Sequence, residues 1–112
     1  MRVLYETSAT ATGGREGRAS TKDGVLAVML STPKELGGNG GTGTNPEQLF
    51  ASGYAACFLG ALKFAAGKDH IKIPAEATVT ADVGIGARDD GQGFGIEVAL
   101  VIKVPGVERA GE

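Results

Sequence analysis

The chain has 112 residues, which is enough for a single domain with a small core, and 42% of them are hydrophobic. Its formal net charge is -2 and it has no basic run, which argues against nucleic acid and anionic membrane surfaces as binding partners. The N-terminus lacks the apolar region of a signal peptide and no apolar stretch looks long enough to span a membrane, so we expect a soluble, cytoplasmic protein.

The first third of the chain predicts an antiparallel meander. Residues 3–12 alternate small and β-branched residues as a strand does, and a glycine-rich turn follows at 13–18. Further strands are predicted at 18–21 and 25–32, and Lys22-Asp23-Gly24 between them is a hairpin signal. Residues 33–44 contain five glycines, which predicts a flexible loop of the kind that often borders a functional site.

One long helix is predicted to begin at residue 46. Asn45 is suited to cap it, Pro46 suits its first position, and Glu47 suits the positive end of its dipole. The helix is predicted to run to residue 66, with Gly67 as the residue that ends it. It is almost free of charge between Glu47 and Lys63, so we expect it to be buried on more than one side.

Two strands, at 75–87 and 93–104, show the clearest alternation in the chain. Each has one apolar face, and Asp89-Asp90-Gly91-Gln92-Gly93 predicts the turn between them. Residues 107–112 are similar to the opening of a helix that stops after about one turn, and a single helical turn is not stable alone. We therefore expect the sequence to be a piece of a longer chain.

Cys57, the single cysteine, lies in the middle of the predicted helix. One interpretation is a nucleophile that attacks peroxides as the thiolate. The other is a small apolar filler, because free cysteine is among the most buried residue types. The mid-helix position favours the filler, and the nucleophile would require a cation from elsewhere. A single cysteine excludes an intrachain disulfide and a zinc site of several thiolates.

Arg15 and Arg18 are the cations in the glycine-rich turn. A turn arginine is usually a solvated surface charge, but a guanidinium held against a thiolate would stabilise the negative charge without losing its own proton. Glu47 is either a carboxylate at a helix N-terminus or the group that orients the arginine. Ten residues separate Glu47 from Cys57, about 15 Å along a straight helix, so they cannot touch on it. Either an arginine bridges part of this gap or a second subunit completes the site.

Other chemistry-bearing residues give weaker signals. His70, the single histidine, lies several helical turns from Cys57, which predicts a surface residue and not a catalytic base. The glycine-rich segment lacks the Gly-Lys-Ser/Thr sequence of a phosphate loop, and Asp82, Asp89 and Asp90 do not follow a calcium-loop pattern. The sequence shows no metal site.

Three segments carry a recognisable pattern. They are residues 11–18 (Ala-Thr-Gly-Gly-Arg-Glu-Gly-Arg), residues 31–38, and residues 43–58, which contain Asn-Pro-Glu-Gln-Leu-Phe at 45–50 and Ala-Cys-Phe at 56–58. The pattern continues through 83–86 and 93–98. Together these segments resemble the organic hydroperoxide resistance branch of the OsmC-like superfamily, and the resemblance covers nearly the whole chain.

The resemblance implies an α+β fold, in which an intertwined homodimer packs curved antiparallel sheets around a central helix that carries the cysteine. It implies active sites at the subunit interface and organic hydroperoxides, including lipid-derived ones, as substrates. Cys57 matches the reactive cysteine, Arg15 its paired arginine, and Glu47 the carboxylate that holds the arginine. Arg18 is the alternative if the register of the turn differs.

The resemblance also implies a mechanism without metal, haem or flavin. The Cys57 thiolate attacks a peroxide oxygen, releases an alcohol and becomes a sulfenic acid. In the family a second cysteine, in a Val-Cys-Pro motif nearer the C-terminus, then forms a disulfide with it, and a lipoyl-type dithiol restores the thiols. The 112 residues contain no second cysteine, so the chain departs from the family at the recycling step.

Two other functions stay open on the sequence. An osmotically induced peroxidase of the same superfamily would differ in substrate preference, although the Gly-Gly-Arg turn and the Asn-Pro-Glu segment favour the organic hydroperoxide branch. A non-enzymatic binding or interaction domain would hold Cys57 as a core residue. In that case the thiol would react slowly with labelling reagents and only at high pH.

Overall fold

The structure is a computed structural model that describes residues 1–106; the short helix predicted at 107–112 lies outside the described residues. The chain forms two compact units, Met1–Pro46 and the part that begins at Glu47. The first contains strands β1 (Ala9–Thr12), β2 (Arg18–Thr21) and β3 (Ala27–Met29), and the second contains strands β4 (Thr78–Ala87) and β5 (Phe94–Lys103). Helix α1 (Pro46–Lys68) begins at the boundary. The predicted α+β class is confirmed.

The first unit is the predicted meander, with strand order β1-β2-β3 and antiparallel pairing throughout. Its strands are shorter than predicted: β1 begins at residue 9 and not at 3, and β3 covers 27–29 and not 25–32. The reason lies in the central strand, which has only four residues, so that regular pairing of β1 and β3 with it is short. Leu30, just after β3, is the buried hydrophobic residue of this unit.

A hairpin joins β2 to β3, as the Lys-Asp-Gly sequence predicts. Its turn closes with a hydrogen bond of 2.8 Å from the amide of Thr21 to the carbonyl of Leu26. The Asp23 carboxylate accepts hydrogen bonds from the amide of Val25, at 3.0 Å, and from the hydroxyl of Thr21, at 2.7 Å. These two bonds, the backbone one foremost, hold the pKa of Asp23 below its usual value.

The glycine-rich segment after β3 is folded, where the composition predicted a flexible loop. It begins with Lys34–Leu36, a single turn of 3-10 helix. It then returns alongside β3: the amide of Thr44 donates to the carbonyl of Met29 and the amide of Ser31 donates to the carbonyl of Thr44, both at 2.9 Å. The segment thus adds a short parallel bridge to the edge of the sheet.

Helix α1 begins at Pro46, as predicted, but it ends at Lys68. Gly67 lies inside its last turn, so the prediction that Gly67 ends the helix is wrong. The residue in the left-handed conformation is His70, with φ 59°, and the amides of His70 and Ile71 donate to the carbonyls of Gly67 and Ala66 at 3.1 and 2.9 Å. These are the two hydrogen bonds of a Schellman motif, and histidine is one of the residues that tolerate this conformation better than most.

Burial of α1 differs from the prediction, because none of its residues is buried. The half-buried residues lie mainly on one face of the helix, and they include Ala51, Ala55, Phe58, Leu62 and Ala66. The opposite face is exposed. Within one chain, the expected burial on more than one side therefore does not occur.

Helix α1 also corrects an expectation about membranes. Its 23 residues are long and apolar enough, by length and composition alone, to cross a bilayer, so the expectation that no stretch of this length exists is wrong. The helix is rich in alanine and glycine and carries almost no charge, so it meets this criterion although few of its residues are large. One such helix is a weak indication, since the core helix of a soluble protein meets the same criterion.

Strands β4 and β5 form an antiparallel ribbon of ten residue pairs. The register aligns their apolar positions, so that Val79 lies opposite Ile102, Val83 opposite Val98, and Ile85 opposite Ile96, all on one face. On this face Phe94 is 66% exposed and Ile96 is 60% exposed. The ribbon therefore presents an apolar surface that its own unit leaves largely uncovered.

Candidate active site

Cys57 lies in the middle of α1, on the exposed face, and its thiol is free. Helical spacing places Phe50, Tyr54, Phe64 and Lys68 on the same face. The rings of Phe50 and Tyr54 stack with centroids 5.5 Å apart, and the Lys68 ammonium lies 4.8 Å from the centre of the Phe64 ring. We call these five residues the Cys57 stripe.

The Cys57 stripe bears on the two interpretations of the cysteine. A core filler would be enclosed by its own chain, whereas the side chain of Cys57 is exposed. Aromatic side chains stand on both sides of the thiol along the helix, so an apolar molecule lying on the stripe would meet sulfur at its middle. The signal in the sequence is the spacing along the helix, which is four residues from Phe50 to Tyr54, three from Tyr54 to Cys57 and seven from Cys57 to Phe64.

Arg15 lies in the first unit, in a single 3-10 turn (Gly14–Glu16) between β1 and β2. Glycine is required here, because Gly13 and Gly14 adopt φ values of 73° and 59°. Arg15 is half-buried, whereas Arg18, the alternative, is exposed and begins β2. The backbone thus places the two arginines differently, Arg15 within the turn and Arg18 in the strand that follows it.

Glu47 lies in the first turn of α1 and is half-buried. The structure places it on the same continuous helix as Cys57, ten residues away, which is about 15 Å along the axis. Direct contact between these two side chains is therefore excluded, as predicted. Glu47 and Cys57 belong to the second unit and Arg15 to the first, so the three candidates are distributed over two units.

Thr32 is a residue near the candidate site that the sequence reasoning missed. Its hydroxyl donates to the carbonyl oxygen of Arg15 at 3.5 Å. The signal that could have found it is the register: β2 pairs Arg18 with Met29, and continuing that pairing outward places Arg15 opposite Thr32. Within residues 1–106, no three His, Cys, Asp or Glu side chains come close enough together to hold a metal ion.

Comparison with known proteins assigns the chain to a family. The model of the OsmC-like protein family matches residues 37–111. The organic hydroperoxide resistance protein of Xanthomonas axonopodis pv. citri is 59% identical over 109 residues, which are 97% of this chain and 75% of that protein.

Two crystal structures are similar to the fold described above. An organic hydroperoxide resistance protein OsmC from Legionella pneumophila matches with a TM-score of 0.86 and 44% identity, over 96% of this chain and 76% of that one. One from Elizabethkingia anophelis, with thiocyanate from the crystallisation bound, matches with a TM-score of 0.85 and 49% identity over the same shares.

The fold and the candidate site define an α+β protein with one exposed thiol on a long apolar helix. Together with the match over two-thirds of its length and the 59% identity to a relative, this shows that the chain belongs to the OsmC-like family. The resemblance stated from the sequence is therefore confirmed.

Proposed function

We propose that the chain is a cysteine-based peroxidase that reduces organic hydroperoxides, including lipid-derived ones, and so serves in antioxidant defence. The observation that carries the proposal is the exposed thiol of Cys57 at the middle of the Cys57 stripe. Its relatives are named for resistance to organic hydroperoxides, which gives the substrate class. The aromatic neighbours suit the apolar part of such a substrate better than they suit hydrogen peroxide.

In the proposed reaction, the Cys57 thiolate attacks the terminal peroxide oxygen and the O–O bond breaks. Sulfur is oxidised to the sulfenic acid, and the peroxide is reduced to an alkoxide that takes a proton from water and leaves as the alcohol. Arg15 stabilises the thiolate and the charge that moves onto the leaving oxygen, because a guanidinium stays protonated. Glu47 orients Arg15.

Recycling requires a reductant. A dithiol of the lipoyl type can attack the sulfenic acid, releasing water and forming a mixed disulfide, and its second thiol then frees Cys57. The dithiol is oxidised to its cyclic disulfide. This route balances with Cys57 alone, the single cysteine of these 112 residues.

We further propose that the protein works in the cytoplasm as a homodimer with active sites at the subunit interface. The apolar face of the β4–β5 ribbon supports a second copy, because it exposes large hydrophobic side chains such as Phe94 and Ile96. A symmetric dimer would use this surface twice.

The test is the reaction of fully reduced protein with an organic hydroperoxide, beside hydrogen peroxide, with the mass and rate of Cys57 oxidation followed. We expect one equivalent of sulfenic acid and a clear preference for the organic peroxide. The Arg15→Ala variant should react at least about tenfold more slowly, which corresponds to roughly 1.4 kcal/mol of lost stabilisation. Arg18→Ala is the matched control and should stay within about twofold of the wild type.

Slow oxidation without preference for the organic peroxide would contradict the peroxidase proposal. An Arg15→Ala variant as fast as Arg18→Ala would leave Cys57 as the nucleophile and remove Arg15 from the site. The Cys57→Ser variant shows how much of the mass increase comes from other oxidisable groups, such as methionine, because serine should take up no oxygen at this position.

A further inference from the structure

The antiparallel pairing of the first unit continues past its strands towards Arg15. Strand β2 pairs Arg18 with Met29. One step outward, the amide of Leu30 donates to the carbonyl of Gly17 at 2.9 Å. Two steps further, the hydroxyl of Thr32 reaches the carbonyl of Arg15 at 3.5 Å. The backbone of the Arg15 turn therefore rests against residues 30–32.

Residues 30–32 are themselves held from the other side by the glycine-rich segment. The carbonyl of Thr32 accepts a hydrogen bond from the amide of Gly40 at 3.0 Å, and the hydroxyl of Ser31 accepts one from the amide of Gly43 at 2.9 Å. A Cβ atom at Gly38 would overlap the carbonyl oxygen and the Cβ of Thr32. Glycine is required at position 38 because the segment approaches Thr32 so closely.

The Arg15 turn is closed just as tightly on its own side. A Cβ atom at Gly17 would overlap the carbonyl oxygen of Thr12, and one at Gly13 would lie 2.8 Å from the Cα of Gly17. Few backbone conformations satisfy such contacts. The backbone of the turn that carries Arg15 is thus narrowly defined by its own close contacts, and residues 30–32 add a contact from outside the turn.

We propose that Thr32 and Gly38 are positioning residues for Arg15. Gly38 lets the glycine-rich segment hold Thr32 against the carbonyl of Arg15, and this contact fixes the turn that presents the guanidinium. The inference rests on the role proposed for Arg15 and extends it to two residues that act through it. A displacement of a catalytic group by about 1 Å can cost up to a hundredfold in rate, so a small shift of this turn should be measurable.

The experiment compares Gly38→Ala, Thr32→Val and Thr32→Ser with the wild type, in stopped-flow oxidation of Cys57 by an organic hydroperoxide. Thr32→Val keeps the shape and removes the hydroxyl, whereas Thr32→Ser keeps the hydroxyl. We expect Gly38→Ala and Thr32→Val to be slower by about fivefold to tenfold and Thr32→Ser to recover most of the rate. Gly86→Ala is the control, because a methyl group there meets no atom within 4 Å and φ is ordinary.

Two further readouts separate positioning from a general loss of structure. The rate of Cys57 alkylation at neutral pH should fall in Gly38→Ala and Thr32→Val, as it should in Arg15→Ala, because each weakens the support that Arg15 gives to the reactive thiolate. In the Arg15→Ala background, Gly38→Ala and Thr32→Val should have no additional effect on the oxidation rate.

The outcomes distinguish this inference from the proposed function. If Arg15→Ala slows oxidation while Gly38→Ala and Thr32→Val match Gly86→Ala, positioning by these residues is wrong and the peroxidase proposal stands. The inference would also be overturned if Thr32→Val slowed Cys57 oxidation equally in the wild-type and Arg15→Ala backgrounds, because its effect would then not act through Arg15. If Gly38→Ala fails to fold, the Thr32→Val and Thr32→Ser pair decides the question.

Discussion

Replacing Ile96 by aspartate should prevent the proposed dimer from forming. Ile96 lies on the apolar face of the β4–β5 ribbon, opposite Ile85, and is 60% exposed in the single chain. Full burial of an isoleucine side chain is worth about 1.5–3 kcal/mol, so covering the remaining part contributes about 1–2 kcal/mol per copy. A twofold dimer counts this residue twice. The variant loses that contribution and must also desolvate two carboxylates at several kcal/mol each, so we expect dissociation to become at least about a thousandfold easier.

The assay is the mass in solution by sedimentation equilibrium over a range of protein concentrations. The matched control is Val101→Asp, because Val101 is 44% exposed on the same strand but lies opposite Thr80, on the other face of the ribbon. We expect the control to remain dimeric at concentrations at which Ile96→Asp is monomeric. If both variants behave alike, or if the wild type is already a monomer, the apolar face is not the dimer surface.

Three further predictions concern local structure. The lowered pKa of Asp23 means that its hydrogen bonds stabilise the fold above the pKa of the unfolded state and are lost as pH falls through the lower, folded value. The stability gap between the wild type and Asp23→Asn should therefore narrow on acidification in thermal melts, and a constant gap would contradict the assigned hydrogen bonds. Gly67→Ala should raise stability by up to about 0.5–1 kcal/mol, because Gly67 lies within the last turn of the helix with open space at its Cβ, and a destabilised variant would contradict this placement. His70→Gly should also raise the melting temperature, since glycine adopts φ 59° without strain, and a loss would mean that the imidazole makes a contact of its own.

The elements predicted well are those whose signals are local. Pro46 at a first helical position and the Lys-Asp-Gly hairpin each act within a few residues, and both occur where predicted. Strand lengths were predicted less well, because the extent of β1 and β3 depends on the partner strand β2 and not on their own residues. The end of α1 was misplaced because two residues, Gly67 and His70, can each follow a last turn, and only the hydrogen bonds decide between them.

The glycine-rich segment shows a limit of composition as an argument. Glycine is used both where a chain must stay mobile and where two backbones must come very close, and the two cases have the same sequence. Gly38 belongs to the second case, because the atoms of Thr32 occupy the space of its missing Cβ. Only the position of those atoms could reveal this. The same holds for Thr32, which has no motif of its own and gains its interest from the register that places it opposite Arg15.

The Cys57 thiol and its proposed cation, Arg15, lie on two elements that are stabilised in different ways, a long helix and a tight turn. The dipole of α1 acts within its first turn, and Cys57 is ten residues from Glu47, so the helix itself offers the thiolate little support. Support must come from a charge outside the helix, and the Arg15 turn owes its shape to close backbone contacts in the first unit. Reactivity and folding should therefore separate: Thr32→Val should slow Cys57 oxidation with little change in the melting temperature, whereas Ile96→Asp should change assembly through the ribbon. If Thr32→Val lowered the melting temperature so far that the loss of folded protein explained its slower oxidation, the turn and the rest of the fold would be a single unit of stability.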